Sequence, residues 1–329
     1  MAPVLGLLQL VLLATGCFAV SIALCTALAY QRLRPRLATL PPAQRASILR
    51  WMCAAPLSGA GILTGLCLLP SLLGVVWPEY DHCLSHHGHL HLCLNHPPHS
   101  LGGPLGWGVN GVFWGVIATG VAIVALRSRD AARSLQALCR NVRYEPAVGA
   151  HLIASSLPFS AVVGLARQKI VLSTALADAL SPQLLRIVLA HEAGHVQRHD
   201  SFWQLVASLL SVAHLPSLRR QLLADLALAA ERACDEHAAE VTSDRLGVAQ
   251  AILFVERMLT DCAWSLPQAP GFGGSDVPAR VEALLEPPGR ARGWAVPTVE
   301  VALIAAVLAL APSDTLHHWT ETLLGLLIR

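Results

Sequence analysis

Apolar residues in the first third of the chain come in long unbroken runs rather than in alternation. Residues 3–29, from Pro3 to Ala29, carry no charged side chain, and further apolar runs cover about 52–76 and about 105–126. Roughly 20 apolar residues in a helix cross the hydrocarbon core of a bilayer, so each run predicts a span. A fourth, weaker run covers 294–312, interrupted by Pro297 and Glu300 and stopped at Pro312. Glu300 reads either as a carboxylate near a helix start, favoured by the dipole, or as an acid working inside the membrane. No small-residue cleavage site with a polar mature chain follows the first run, so it reads as an anchor. Between the third and fourth runs the pattern changes. Leu152 to Ser173 carries short β-branched stretches around Gly164, which predict a small sheet or hairpin. From Ser181 to Arg257 the pattern is mainly helical, and Ser265 to Asp276, rich in Pro and Gly, reads as loop.

Composition agrees with lipid burial. The chain is 54% hydrophobic and 13% charged, whereas soluble proteins average about 25% charged residues. The net charge of +2 says little about partners, but the placement of Arg does. Arg32, Arg34, Arg36, Arg45 and Arg50 follow the first run, and Arg127, Arg129, Arg133, Arg140 and Arg143 follow the third. Arg290 and Arg292 precede the fourth, and 77–104 contains no Lys or Arg. Positive residues stay on the cytoplasmic side. The N-terminus, 77–104 and 313–329 are therefore expected outside, and 30–51 and 127–293 inside. The chain divides into a membrane region, 1–126, with an outer loop at 77–104; a cytoplasmic domain, 127–293; and a fourth span with a short outer tail, 294–329. Basic residues arranged beside spans do not predict direct nucleic-acid binding; membrane lipid is the expected surrounding.

The cytoplasmic part carries the chemistry. Ser181 can cap a helix that Pro182 opens and that runs into His191-Glu192-Ala193-Gly194-His195. Two His four apart share a helix face, so both imidazoles reach one zinc ion. Glu192 lies near that metal and is placed to take a proton from the attacking water. A catalytic zinc needs a third protein ligand. Glu231 is the candidate, in an apolar-rich helix expected to begin near Leu222, unless it forms a solvated acidic face with Glu236 and Glu240. Asp235, one turn on, would hydrogen-bond a ligating His and set its tautomer. His199 and His237 fall off the shared faces and read as surface or supporting residues; Ser201 stands where a metzincin would have its third His.

The block Pro158 to Gly164, then Ile170-Val171-Leu172, then His191 to His195 through Asp200, then Glu231 to Glu236, resembles the BlaR/MecR-type antirepressor metalloproteases. The four-span layout, with the zinc domain between the third and fourth spans, is similar to that family as well. The resemblance implies a multi-pass α-helical membrane protein with a cytoplasmic α+β gluzincin-like zinc metallopeptidase domain, in a bacterial inner membrane. It also implies a cytoplasmic transcriptional repressor as substrate and an outside signal relayed inward. The family's antibiotic sensors carry a large penicillin-binding domain after the fourth span, where this sequence has residues 313–329, so a stimulus other than a β-lactam is expected.

The outer loop offers a replacement sensor. His82, His86, His87, His89 and His91, with Cys83 and Cys93 and then His96 and His99, form a cluster dense enough to hold zinc or copper. A Cys83–Cys93 disulfide with incidental His is the rival reading. The third span leads straight into Arg127 and is the expected relay. Cys139, Cys234 and Cys262 are expected as free thiols on the reducing side, and the tail around Trp319 as an interfacial helix. Two other functions are open: a quality-control protease similar to the HtpX and CAAX-prenyl protease families, and a non-proteolytic metal sensor that would not need Glu192.

Overall fold

The computed structural model describes residues 2–77, 92–94, 103–138, 142–261, 276–286 and 318–322. Among the described residues, three helices are long and apolar enough to cross a membrane: α1 (Ala2–Ala38), α2 (Pro42–Val76) and α3 (Gly103–Leu138). Each runs beyond its apolar run into the Arg-rich segment, α1 continuing even past Pro35. They meet through small residues and buried polar pairs, the usual adhesive where lipid removes the hydrophobic drive between helices. A Cβ at Gly16 would come within 3.3 Å of Phe113, and one at Gly59 within 2.9 Å of Ile22. Thr15 Oγ1 lies 3.0 Å from Thr64 Oγ1, and Asn110 Nδ2 donates to the Gln9 carbonyl at 3.1 Å. Outward side chains such as Leu28, Val112 and Val116 are exposed, as lipid-facing positions should be.

The domain after α3 opens with a four-stranded sheet in the order β1-β2-β4-β3. The strands are β1 (Arg143–Glu145), β2 (Ala150–Ile153), β3 (Ser160–Val163) and β4 (Lys169–Ser173). β2 and β4 pair parallel, while β1–β2 and β3–β4 are antiparallel. The expected hairpin around Gly164 is the β3–β4 pair. Gly164 has φ 108°, and a Cβ there would lie 2.4 Å from the Arg167 carbonyl oxygen, so the turn requires Gly.

After the sheet the described residues form α4 (Thr174–Ala179), α5 (Pro182–Arg198), α6 (Asp200–Leu210), α7 (Pro216–Thr242), α8 (Arg245–Asp261) and α9 (Val277–Leu285). Ser181 caps α5 as its sequence suggests, its Oγ accepting the Leu184 N–H at 3.3 Å with Pro182 at the first turn. His199 takes the left-handed conformation, φ 51°, that ends α5 and turns the chain into α6. α7 starts at Pro216 rather than near Leu222, because Pro216 suits the first helical turn and Leu218 is already buried there. One core joins the sheet to α5, α7, α8 and α9 through Leu172, Leu176, Ile187, Val188, Val248 and Leu284. A second core joins α7 to the spans through Tyr30, Leu49, Cys53, Ala207, Leu222 and Leu226.

A polar clamp reinforces that second core. Asp225 of α7 accepts from Tyr30 Oη at 2.7 Å and from Arg34 at 3.0 and 3.2 Å, with Arg45 Nη2 at 3.4 Å. Burial works against ionised Asp225, but these partners outweigh it and hold its carboxyl below the ordinary range. α1 and α2, not the expected α3, are thus tied to the helix that bears Glu231; α3 reaches α6 and the 3-10 turn Ser211–Ala213 instead. Asp225→Asn leaves Arg45, whose side chain is 9% exposed, without its counter-charge. The expected cost is about 3 kcal/mol, read as a lowered thermal transition of the purified protein in detergent; an unchanged transition would show the clamp to be idle.

Residues 318–322 are helical and touch the other end of α2: Thr320 Oγ1 lies 3.4 Å from Cys67 Sγ, and Leu92 N–H donates to Glu321 Oε1 at 2.8 Å. Roughly 33 Å of helix separates Arg45 from Cys67 at 1.5 Å per residue, about the thickness of a hydrocarbon core. The Asp225 clamp and residues 318–322 therefore meet α2 at well-separated positions. The fourth run itself, 294–312, lies outside the described residues. So do the loop 265–275, Cys83, Cys139, Cys262 and the outer His82, His86, His87, His89, His91, His96 and His99.

Candidate metal centre

α5 and α7 cross closely enough for their side chains to share one site. The crossing depends on small residues: a Cβ at Gly194 would lie 3.2 Å from Cys234 Sγ and 3.3 Å from its Cα. α7 answers with Ala229, Ala230, Ala233 and Cys234, all buried. Gly194 thus has a packing reason to sit between Glu192 and His195.

At the crossing His191, His195 and Glu231 converge, with their donor atoms within 4.8 Å of one another. Glu231 Oε2 is 3.5 Å from His191 Nε2, and Oε1 is 3.5 Å from His195 Nε2. Ligands at 2.0–2.1 Å around a tetrahedral ion lie about 3.4 Å apart. Both approaches, one to each Glu231 oxygen, are close to that spacing, and two imidazoles with one carboxylate are a donor set suited to zinc. The residues present therefore fit a metal of that kind.

The far ring nitrogens are also accounted for. His191 Nδ1 is 3.0 Å from Asp235 Oδ1, and His195 Nδ1 is 2.9 Å from Asp200 Oδ2. An ionised carboxylate only accepts, so each Nδ1 carries a proton, which leaves each Nε2, on the Glu231 side, as the atom that would bind a metal. Asp235 thus sits where the sequence suggests. Asp200 enters the sequence reading only as the end of the motif block, with no role at the site. Its signal was an Asp just beyond His195, brought back under the ring by the turn at His199.

Arg280 is the second residue that sequence reasoning missed. It donates to Asp235 through Nε at 2.8 Å and Nη2 at 2.7 Å, and its Nη1 lies 3.1 Å from Glu231 Oε2. α9, which carries it, is pinned by Arg232, which donates to the Ala279 carbonyl at 2.6 Å, and by Arg245, which binds the carbonyls of Ala283 and Leu284. Burial opposes ionisation of Glu231, yet the two His and Arg280 together hold its carboxyl well below the ordinary range. Burial likewise disfavours a charged His191, but hydrogen bonds to Asp235 and Glu231 raise its pKa to about 9 in the metal-free protein.

Glu192 is buried beside the triad, and Ser160 Oγ of β3 donates to its Oε1 at 2.6 Å. The carboxylate and the imidazoles open into a cleft of about 390 Å³, bordered by Ser160, Ala161 and Val162 on one side and by Ser201 and Gln204 of α6 on another. His199, at the α5–α6 turn, and His237, beside a separate hollow lined by Tyr144 and His151, are not in the triad. Cys234 is a buried free thiol, its Sγ 3.6 Å from Asp200 Oδ2.

Three long apolar helices leading into a mixed α+β domain of this design define a membrane-bound metallopeptidase. Residues 116–260 match the family model described as BlaR1 peptidase M56, so this part of the chain is similar to the BlaR/MecR-type peptidases. No curated protein and no solved structure matches significantly.

Proposed function

We propose that the protein is a zinc endopeptidase that cuts a cytoplasmic protein, a transcriptional repressor, in response to a signal from outside the membrane. The observation that supports this best is the His191–His195–Glu231 triad with Glu192 buried at its side. The Arg distribution supports a cytoplasmic active site in a bacterial inner membrane. The repressor rests on the family alone.

Zinc held by His191, His195 and Glu231 would supply a Lewis acid for the attacking water and the scissile carbonyl. Glu192 takes the proton of that water, the water oxygen bonds to the carbonyl carbon, and Glu192 returns the proton to the nitrogen as the C–N bond breaks. Ser160 holds Oε1 of Glu192, leaving Oε2 to carry the proton. Asp235 and Asp200 keep both imidazoles in the ligating tautomer.

Among the described residues β3 is an edge strand, and its Ser160, Ala161 and Val162 border the cleft. A substrate strand added there would gain main-chain hydrogen bonds beside Glu192. Val162→Pro should cut cleavage at least about tenfold, by removing one of those bonds, with metal content unchanged. Cleavage at the wild-type rate would exclude strand addition.

The decisive experiment is substrate trapping in cells with Glu192→Gln, followed by identification of the bound proteins. One trapped DNA-binding repressor supports the proposal; many unrelated membrane proteins would replace it with a quality-control role. Reporters fused after Ser100 and Arg143 test the orientation. Exported behaviour at the first and cytoplasmic behaviour at the second is expected, and the reverse pair would remove a cytoplasmic substrate.

A further inference from the structure

Residues 201–218 contain no Asp, Glu, Lys or Arg, although they lie in the middle of the domain that follows α3. They comprise α6 after its first residue, the 3-10 turn Ser211–Ala213 and the start of α7. This segment does not pack into the domain core. It packs between α2 and α3: a Cβ at Gly120 would lie 3.3 Å from Val212 Cβ, and His214 Nε2 is 2.9 Å from the Met52 carbonyl oxygen. Gly120 stands seven residues before Arg127, the first charge at that end of α3. At 1.5 Å per residue the tip of the segment is about 10 Å deeper than that charge.

Protein groups serve the polar atoms of the Ser208–Ser211 turn, while His214 Nδ1 is buried without a hydrogen-bond partner among the described residues. Arg219 Nη2 donates to the Ser208 carbonyl at 3.1 Å and Nε to Ser211 Oγ at 3.2 Å, while Ser211 Oγ donates to the Ser208 carbonyl at 3.2 Å. Irregular backbone survives at membrane depth only when its groups are satisfied in this way. The outward side chains are apolar and uncovered: Phe202 and Trp203 are each 41% exposed and Leu215 57%. Trp203 also lies under the Arg50 guanidinium, 5.6 Å from ring centroid to Cζ, a pairing suited to the headgroup level. Charges flank both ends, Arg198 and Asp200 before and Arg219 and Arg220 after. Both ends thus lie on one face of the membrane.

We infer that residues 201–218 are a re-entrant hairpin that enters the lipid bilayer beside α2 and α3, returns to the same face, and sets the catalytic cleft at headgroup level. The partner of this surface is the acyl region of the bilayer. The cleft follows because Ser201 and Gln204, in the first turns of α6, form part of its wall. The inference borrows from the proposed function only the identity of the cleft, and its tests read lipid contact rather than cleavage.

The full-length protein is reconstituted in phosphatidylcholine–phosphatidylglycerol vesicles with a benzophenone amino acid at Leu215 or, as control, at Tyr144 of β1, which is 54% exposed. Irradiation should give acyl-chain adducts at 215 and none at 144. Protein adducts alone at 215, or equal lipid adducts at both, would overturn the hairpin. A second measurement needs no unnatural residue. Lipids brominated high on the acyl chain should quench wild-type tryptophan fluorescence more than Trp203→Phe fluorescence, and lipids brominated near the bilayer centre should show a smaller difference. Equal quenching of the two proteins would place Trp203 in water and refute the headgroup-level cleft.

Discussion

Glu192→Gln is expected to lower the cleavage rate by about a thousandfold while leaving bound zinc at one per chain. The two halves of this result have separate causes. Glutamine keeps the volume of glutamate and can still accept from Ser160, so the hydrogen bond at Oε1 persists. It cannot take a proton from water near neutral pH, so the general base is gone. The metal should stay because Glu192 is outside the His191, His195 and Glu231 triad. Ser160→Ala offers a graded comparison. It removes one hydrogen bond to a charged group, worth about 1.5–3 kcal/mol at most, and so should slow cleavage less than Glu192→Gln does. The measurement is cleavage of a purified substrate by purified protein, with metal quantified in the same samples. Full activity of Glu192→Gln would assign the base elsewhere, and loss of its zinc would make Glu192 a ligand.

Zinc affinity should fall roughly a hundredfold in Glu231→Ala, and by about ten- to a hundredfold in Arg280→Ala. The first figure follows from a site worth about 10–16 kcal/mol shared among four ligands, or about 3 kcal/mol each. The second is the usual loss when a partner of a ligand is removed. Arg280 touches Glu231 and grips Asp235, which in turn orients His191, so its loss disturbs two of the three ligands. Arg280→Lys keeps the charge but not the planar two-pronged grip, and should recover only part of the affinity. The pH dependence has a definite sign. His191 holds its proton up to about pH 9 in the metal-free protein. Metal must displace that proton, so apparent affinity should climb toward pH 9, by up to tenfold per unit for each proton released. Competition with a zinc-binding dye at several pH values reads all of these. Wild-type affinity in Arg280→Ala would reduce Arg280 to a packing residue.

The three apolar runs and the His191–His195 motif were legible in the sequence because each is a local property. A run of uncharged residues is a span by length alone, and the i, i+4 spacing of His191 and His195 puts both rings on one face in any α-helix. The capping pair Ser181-Pro182 belongs to the same class. The small sheet was legible as β-branched stretches, although its order β1-β2-β4-β3, which leaves β3 at the edge beside Glu192, was not. Register and strand order depend on which surfaces a strand finds, and no local pattern carries that.

Tertiary structure alone decided the rest of the site. Arg280 is far from Glu231 in sequence and meets it only because α9 folds back onto α7 under Arg232 and Arg245. Asp200 serves His195 only because the left-handed turn at His199 reverses the chain. The clamp on Asp225 links α7 to α1 and α2, where adjacency along the chain had suggested α3. The depth of residues 201–218 was hidden for a related reason. An uncharged stretch of that length, with Pro216 and a short turn inside it, looks the same whether it packs in a soluble core or against two spans. Periodicity reports which face of an element is apolar; only the packed chain determines whether protein or lipid covers it.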